Sequence, residues 1–137
     1  MEKKKALTLL FSCAQQYHDN LENKNLLFVY GTTKKQEYIE TEYLPRHYLH
    51  LTGVDYDGGT GSSEFYNACL EKRLSTDDFS LDKRGLAEKK LSVLSQLMNL
   101  HQTANMLGIY NAGNQYLITE KLAGTVTACM GFVEENE

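Results

Sequence analysis

The sequence has few of the features that divide a chain into parts or attach it to a membrane. Its single proline is Pro45, and no Pro/Ser-rich linker, low-complexity tract or internal repeat interrupts the 137 residues. A chain of this length and ordinary globular composition can bury a core without metal or disulfide cross-links, so we predict one domain over residues 1–137. The apolar run near the N-terminus ends at Ser12, which is too short for a signal sequence or a membrane span, and we predict no membrane segment.

Cysteine is also scarce, and its positions argue against cysteine-based sites. Cys13, Cys69 and Cys129 are far apart in the sequence and form no C-x-x-C pair. An odd, scattered set of this kind is typical of reduced and buried thiols, and it predicts a cytoplasmic protein. Cys13 and Cys69 lie on predicted apolar helix faces, so neither is an attractive nucleophile.

Several motifs of hydrolases and nucleotide-binding proteins are absent as well. The chain contains no G-x-S-x-G, no H-E-x-x-H and no G-x-x-x-x-G-K-[ST]. Asp55 and Asp57 precede a glycine, but the later positions of a calcium loop hold no suitable ligands. His47, His50 and Asp55 match no known spacing of transition-metal ligands. We therefore predict that the protein has no metal site and no cofactor.

Positive charge is not in excess, because the formal net charge is −4. A general nucleic-acid coat protein is basic, since neutralisation of phosphates supplies its affinity. The charge therefore argues against nonspecific binding of RNA or DNA. It leaves open a nuclease that gathers its cations on one face.

The apolar periodicity predicts an α+β domain. Residues 3–22 carry apolar side chains at steps of three and four, which indicates an amphipathic helix. Residues 26–43 indicate a β-hairpin that ends at Pro45, and Tyr48–Leu51 are expected to form a short further strand.

The second half of the chain is expected to contain two helices and then strands. The first central helix is predicted to have Ser62 or Ser63 as its N-cap and to run to about Arg73, and the second is predicted from Lys83 to about Thr103. Three strands are predicted at residues 106–110, 116–120 and 125–133, with a hairpin turn at 111–114. The predicted order is an N-terminal helix, a β-hairpin, two central helices and a C-terminal antiparallel meander, which together form one helix-on-sheet domain.

The most unusual stretch runs from Arg46 to Tyr66 and contains two histidines, an arginine, three tyrosines and four glycines. Its glycine loop, residues 57–63, precedes a predicted helix, and the first N–H groups of a helix favour an anion. A phosphate site and a flexible connection with a capped helix both fit this pattern. Because short glycine motifs are weak signals, the connection is favoured.

His50 is the strongest candidate for chemistry in this stretch. It lies at the end of the predicted short strand, where a half-buried imidazole can donate or accept a proton near neutral pH. The alternative is a strand histidine that is hydrogen-bonded to the backbone, and the sequence does not decide between them. Arg46 and Lys90 are candidate cations for a phosphodiester substrate, and surface solvation is their alternative role. The ring of Tyr66 can stack on a base and its hydroxyl can bind a phosphate, but packing between a helix and a sheet also explains a tyrosine at this position.

The segment Y-L-H-L-T-G-V, Tyr48–Val54, followed by a helix with Phe-Tyr, resembles the fourth phage-type group of the barnase–EndoU–colicin–RelE-like nuclease superfamily. The resemblance also takes in F-V-Y…Y-I-E-T-E-Y, L-A-E-K-K-L-S-V-L and N-M-L-G-I-Y…Y-L-I-T-E, and so covers most of the chain. It implies a domain of helices and antiparallel sheet, encoded by a phage or mobile element. It also implies a metal-independent, toxin-like ribonuclease that acts on RNA, with tRNA as one candidate, in the cytoplasm of a bacterial host.

The resemblance further implies a mechanism and some of its residues. In such enzymes a base takes the proton of a 2′-OH, the oxygen attacks the adjacent phosphate, and an acid protonates the leaving 5′-oxygen. Carried onto this chain, His50 is the acid/base and Thr52 is a phosphate contact. The other candidates are chosen by their chemistry and comprise the charge stabilisers Arg46 and Lys90 and the substrate contacts Tyr66 and Thr119.

Two features depart from an efficient RNA-cleaving enzyme. The chain is acidic, and Lys121 is the only lysine or arginine after Lys90. The chain also ends at Glu137, where a domain of this kind can continue. The alternative is therefore a non-catalytic inhibitor or adaptor that binds a host nucleic-acid-binding protein through two acidic clusters, Glu37/Glu40/Glu42 and Glu134/Glu135/Glu137. An accessible His50 close to cations favours the enzyme over the adaptor.

Overall fold

A computed structural model describes residues 1–31, 34, 36–59, 61–99, 106–109, 121–124 and 129–132. The α-helices within these ranges are α1 (Lys3–Asn20), α2 (Tyr48–Thr52), α3 (Ser62–Leu70) and α4 (Leu86–Leu97). A 3₁₀ helix, Pro45–His47, directly precedes α2. The strands are β1 (Asn25–Gly31), β2 (Gln36–Glu42), β3 (Asp55–Tyr56), β4 (Phe79–Ser80), β5 (Met106–Ile109), β6 (Lys121–Gly124) and β7 (Cys129–Phe132).

All strand pairs in the described ranges are antiparallel. β1 pairs with β2, β3 pairs with β4, and β5, β6 and β7 form a sheet in that order. This arrangement of helices and small antiparallel sheets confirms the predicted α+β class. The middle strand of the last sheet begins at Lys121, and the predicted strand 116–120 and turn 111–114 lie outside the described residues.

α1 supplies a large part of the core. Its buried residues are spaced by three and four positions, as the amphipathic pattern predicts, and comprise Ala6, Leu10, Cys13, Ala14 and Tyr17. The cluster of buried apolar side chains continues into the other helices and includes Met130 of β7. Neither α1 nor another helix in the described ranges combines the length and the apolar character that crossing a membrane requires.

Buried tyrosines connect α1 to the segment that carries His50. The hydroxyl of Tyr17 donates to the carbonyl of Leu44 at 2.7 Å, directly before the 3₁₀ helix. The hydroxyl of Tyr48, the first residue of α2, donates to the carbonyl of Leu10 at 2.8 Å. Burial of a tyrosine ring is stable when its hydroxyl finds such a partner, so these two contacts fix α2 on α1.

The boundaries of both central helices differ from the prediction. Gly61, not Ser62 or Ser63, is the N-cap of α3, and no side chain caps this end. α4 begins later than predicted because the carboxylate of Asp82 accepts hydrogen bonds from the N–H groups of Leu86, at 3.3 Å, and Ala87, at 2.9 Å. These N–H groups have no partner inside the helix, and an acidic side chain is a suitable one.

Candidate functional site

His50 lies on a short helix, so the strand predicted for Tyr48–Leu51 is wrong. Pro45 occupies the first position of the 3₁₀ helix, where its fixed φ favours helical backbone. The helical conformation continues through His47, at φ −80° and ψ −19°, into α2. Gly53 then ends α2 in the left-handed region at φ 73°. His50 is exposed on the last turn of this helix.

Thr52 is buried beneath the end of α2, with 0% of its surface exposed. Its hydroxyl donates to the carbonyl of Leu49 at 2.7 Å and accepts the N–H of Val54 at 3.3 Å. The side chain therefore holds the chain reversal that follows His50. Because this hydroxyl is buried and already hydrogen-bonded, it disfavours the predicted phosphate contact and indicates a structural role for Thr52.

Gly53 lies against α4 with no room for a side chain. A Cβ at this position would be 2.7 Å from Cδ of Lys90 and 3.2 Å from Cα of Ala87. The glycine thus permits both the left-handed turn and the close approach of the two helices. In the motif H-L-T-G, threonine and glycine build the corner, and the histidine faces outward.

Lys90 of α4 is the cation that the structure brings to His50. Its Nζ donates to the backbone carbonyl of His50 across 3.1 Å. A cation at this end of a helix satisfies a carbonyl that has no partner within the helix. Partial desolvation of the imidazole and, secondly, the Lys90 ammonium lower the pKa of His50 below its ordinary value of 6.5. The ring is therefore mainly neutral at neutral pH and able to accept a proton.

Arg46 is exposed and precedes His50 by four residues in the same helical segment. Four positions span about one helical turn, so the two residues start from the same side of this segment. His50 consequently has a guanidinium one turn before it and an ammonium at its own carbonyl. Of the two predicted cations, Lys90 contacts His50 directly, and Arg46 lies in the same helical segment.

Tyr66 is buried and does not share the exposed position of His50. Tyr66 is 0% exposed, and its hydroxyl donates to Oε2 of Glu22 at 3.1 Å. Burial and the Glu22 carboxylate raise the pKa of Tyr66. Glu22 also contacts Nδ1 of His18 at 2.5 Å. The position of Tyr66 therefore indicates a packing role, and Thr119 lies outside the described residues.

The glycine loop has the geometry of a connection. Gly59 and Gly61 have positive φ values of 76° and 102°, which glycine adopts without strain. The first turn of α3 already contains the carboxylate of Glu64, which forms an ion pair with Arg73 at 2.6 Å. A negative charge near a helix N-terminus is favourable, and here a side chain provides it. This arrangement favours the connection over the phosphate site.

The described side chains offer no group of three or more His, Cys, Asp or Glu residues arranged to hold a metal ion. Cys13 and Cys69 are buried free thiols, as predicted. Burial raises the pKa of Cys69 to about 12, so this thiol stays protonated at neutral pH and is a poor nucleophile. The side chain of Cys129 lies outside the described part.

The predicted acidic surface is described only in part. Glu40 and Glu42 are exposed on β2. Tyr38 lies on the same strand face and is 68% exposed, and Leu27, which pairs with Glu40 across the hairpin, is 60% exposed. The hairpin therefore presents two large apolar side chains next to two carboxylates. The side chains of Glu37, Glu134, Glu135 and Glu137 lie outside the described part.

His47 is a further residue of this segment, and its sequence spacing singles it out only as a candidate metal ligand. It precedes His50 by three positions, ends the 3₁₀ helix and is the N-cap of α2. Nδ1 of His47 accepts the N–H of Leu44 at 3.1 Å, and the N–H of His47 donates to the carbonyl of Leu44 at 3.0 Å. In the sequence, a proline at the start and a glycine at the end of residues 45–53 are typical of a helix, and this pattern could have placed His47 in a helical segment.

A family model described as phage-Barnase-EndoU-ColicinE5/D-RelE like nuclease4 matches residues 9–137 of the chain. The match includes α2 with His50 and α4 with Lys90. No curated protein and no solved structure matches the chain.

Proposed function

Because this chain belongs to the family of phage-type barnase–EndoU–colicin–RelE-like nucleases, which confirms the resemblance, we propose that it is a metal-independent RNA endonuclease with His50 as its general base. The observation that carries this proposal is the exposed imidazole on α2, with the Lys90 ammonium 3.1 Å from its backbone carbonyl. Membership of a nuclease family supports a nucleic-acid substrate, and the contact of Lys90 with His50 supports the choice of these two residues.

His50 is suited to accept a proton. Its lowered pKa keeps the imidazole neutral at neutral pH, which is the form that removes a proton from a hydroxyl. The exposed position allows a ribose 2′-OH to approach the ring. The Thr52–Gly53 corner holds the end of α2, so the ring is presented from a defined backbone.

Lys90 and Arg46 are suited to stabilise negative charge. An ammonium group has three N–H donors, and the contact with the His50 carbonyl uses one of them. The remaining donors can bind a phosphate oxygen. The exposed Arg46 supplies a planar guanidinium one helical turn away, a group that matches the oxygens of a phosphate.

The proposed reaction is a transesterification within the RNA strand. His50 takes the proton of the 2′-OH, and the 2′-oxygen forms a bond to the adjacent phosphorus. The bond from phosphorus to the 5′-oxygen of the next nucleotide breaks, and this oxygen takes up a proton from water. The products are a 2′,3′-cyclic phosphate and a 5′-OH, and Lys90 and Arg46 stabilise the charge on the phosphorus-bound oxygens between these states.

Cleavage of bacterial RNA in the presence of EDTA tests the proposal. We expect the wild type to cut RNA, and we expect His50→Gln to be about 10²- to 10⁴-fold slower, which is the usual contribution of a general base. His18→Gln is the matched control, because His18 is an exposed helix histidine on a different element. Equal rates for wild type and His50→Gln, or a strict requirement for a divalent metal, would refute the assignment.

The same proposal includes a toxin-like role in a bacterial cytoplasm, as the resemblance implies, with RNA and in particular tRNA as candidate substrates. Induced expression in bacteria is expected to arrest growth, and His50→Gln is expected to relieve the arrest at equal protein level. Sequencing of RNA 5′ ends in the arrested cells identifies the substrate. Arrest of the same strength by both forms would contradict a role for cleavage.

A second candidate function is a non-catalytic module that binds a basic host protein. The observation that favours it is the hairpin face with Leu27 and Tyr38 exposed beside Glu40 and Glu42. Binding through this face is expected to weaken with added salt and with the change Glu40→Lys. Cleavage that depends on His50, with no salt-sensitive protein partner, would exclude this candidate.

A further inference from the structure

We propose that lysine side chains where the starts of α1 and α4 meet form a second contact surface for RNA, which binds phosphates that flank the scissile one. This lysine surface comprises Lys4, Lys5, Lys83 and Lys89, all of which are exposed. The inference rests on the proposed function, since the bound RNA is the strand that His50 is proposed to cleave. It gives the four lysines a role in binding and none in proton transfer.

The starts of α1 and α4 lie at the same end of two helices that run side by side. The amino group of Met1 forms an ion pair with Glu88, in the first turn of α4, at 3.1 Å. At the other end, the side-chain amide nitrogen of Asn20 donates to the carbonyl of Met98 at 3.1 Å. The first turns of both helices therefore contribute to one surface.

The first turn of α4 also reaches the segment that carries His50. Lys90 donates to the His50 carbonyl at 3.1 Å, and Glu88, which contacts the start of α1, is two positions earlier. Residues two positions apart do not face each other on a helix, so the His50 segment and the start of α1 lie on different sides of α4. The exposed Lys89 comes between them in the sequence. An RNA strand that passes over this turn has to span about 10–12 Å, the diameter of a helix.

This end of the molecule is positive although the whole chain is acidic. Residues 1–5 and 82–90 contain seven of the chain's 14 lysine and arginine residues but only three of its 18 acidic residues. Of these acids, Asp82 caps α4, and Glu88 is paired with the amino group of Met1. A local excess of cations reconciles a net charge of −4 with the binding of an RNA backbone.

The lysines of this surface are not neutralised by acidic neighbours. Within the described part of the chain, none of the four takes part in an ion pair, whereas the exposed Arg73 is paired with two glutamates. Lys3 is different, because its Nζ donates to the carbonyl of Thr76 at 3.0 Å and lies 5.7 Å from the centre of the Phe79 ring. Lys3 therefore has a structural contact, and the lysine surface retains its charge for a ligand.

The composition of the lysine surface favours RNA over a protein partner. Lysine is depleted in protein–protein interfaces, whereas its ammonium group binds a phosphate oxygen as a point charge. Release of counterions from the RNA then supplies the affinity. Because phosphate contacts carry no sequence information, the lysine surface is expected to strengthen binding to RNA of any sequence.

The double change Lys4→Gln/Lys5→Gln tests the surface with little effect on folding. Glutamine has a helix propensity close to that of lysine. The first turn of α1 contains three lysines and no acidic residue, and the helix dipole disfavours cations there. The urea midpoint is therefore expected to stay unchanged or to rise. Lys24→Gln/Lys34→Gln is the matched control, because it removes the same charge from two exposed lysines beside and within the β1–β2 hairpin.

The experiment measures the binding of a labelled 2′-O-methyl RNA oligonucleotide of mixed sequence, which the proposed reaction cannot cleave, by fluorescence anisotropy at several salt concentrations. Loss of one phosphate contact flattens the slope of log K against log salt by about 0.7. We expect Lys4→Gln/Lys5→Gln to flatten this slope by about 0.7–1.4 and to weaken binding about 5- to 25-fold at about 0.1 M salt. The control pair is expected to change the affinity by less than about twofold, since salt screens distant charges.

Four results would overturn the inference. They are wild-type affinity and slope in Lys4→Gln/Lys5→Gln, an equal loss in the control pair, no binding of the oligonucleotide by the folded wild type, and equally tight binding of poly-L-glutamate, which would assign the surface to an acidic protein. Cleavage of the corresponding RNA with natural 2′-hydroxyls is measured separately. The expected binding without cleavage would support the lysine surface and refute catalysis by His50. Cleavage that depends on His50, with unchanged affinity in the double variant, would refute the lysine surface alone.

Discussion

The Nζ of Lys90 donates a hydrogen bond to the backbone carbonyl of His50, and the two residues are 40 positions apart in the sequence. The contact joins α4 to the end of α2 beside Gly53, where the two helices meet without space for a side chain. It fixes the backbone of His50 and places a positive charge near its ring. The electrostatics and the packing of the site therefore depend on the same lysine.

The first prediction concerns this charge. Because the Lys90 ammonium contributes to the lowered pKa of His50, Lys90→Met is expected to raise that pKa towards 6.5. Desolvation of the ring is the larger cause and remains, so the pKa is expected to stay below this value. A titration of the His50 ring protons by NMR measures the change. Lys89→Met is the control, since Lys89 is exposed beside it, and a larger effect of Lys89 than of Lys90 would contradict the account.

The second prediction is the pH dependence of stability. The pKa of His50 is lower in the folded protein than its ordinary value of 6.5, so the unfolded chain binds more protons between the two values. The free energy of unfolding is therefore expected to fall as the pH decreases from 6.5 through the folded-state pKa. This part of the dependence should be missing in His50→Gln, as urea unfolding above and below pH 6.5 can show. If the free energy of unfolding falls equally in wild type and His50→Gln, groups other than His50 cause the decrease.

The third prediction compares two glycines with similar positive φ values. Gly53 and Gly59 have φ values of 73° and 76°, but a Cβ at Gly59 would meet nothing within 4 Å. Gly59→Ala is expected to cost about 1 kcal/mol for the left-handed backbone alone. Gly53→Ala is expected to cost about 1–3 kcal/mol more, because the methyl group would press on α4. Equal losses in urea unfolding would mean that α2 and α4 are not in close contact.

The fourth prediction separates packing from substrate contact at Tyr66. Tyr66→Phe removes the hydrogen bond to Glu22 and is expected to cost about 1.5–3 kcal/mol of stability, the usual value for a bond to a charged partner. RNA cleavage by the folded variant should be unchanged. Tyr38→Phe is the matched control, because Tyr38 is 68% exposed and its change should leave stability within about 0.5 kcal/mol. A loss of cleavage without a loss of stability would indicate that Tyr66 contacts the substrate.

The helices and strands with a clear apolar periodicity could be predicted from the sequence. The wrong strand prediction at α2 has an identifiable cause. The alternation in Tyr48–Leu51 is typical of a strand, but the segment is only a few residues long, and over that length it also fits a helix. Pro45 at the start and Gly53 at the end favour the helix, and these signals outweigh the alternation. The start of α4 is also hard to predict, because the Asp82 carboxylate that caps this helix lies four positions before its first residue, Leu86.

The composition of the site could be predicted only in part. His50 follows from its motif, and Arg46 follows from its spacing once the segment is helical. Lys90 was chosen by chemistry from several lysines, and its contact with the His50 carbonyl depends on tertiary packing that no local pattern contains. Burial of Thr52 and Tyr66 has the same origin, since each is polar in sequence and becomes enclosed by distant elements.

The most direct test of the proposed transesterification is the chemical nature of the new RNA ends. A purified RNA fragment is incubated with the wild type in EDTA, and the products are analysed by mass spectrometry. The account predicts a 2′,3′-cyclic phosphate on one product and a 5′-OH on the other, and no cleavage at a position where the 2′-OH is replaced by hydrogen. A 5′-phosphate with a 3′-OH, or cleavage at the 2′-deoxy position, would show that the 2′-OH is not the nucleophile. Either result would contradict the proposed transesterification.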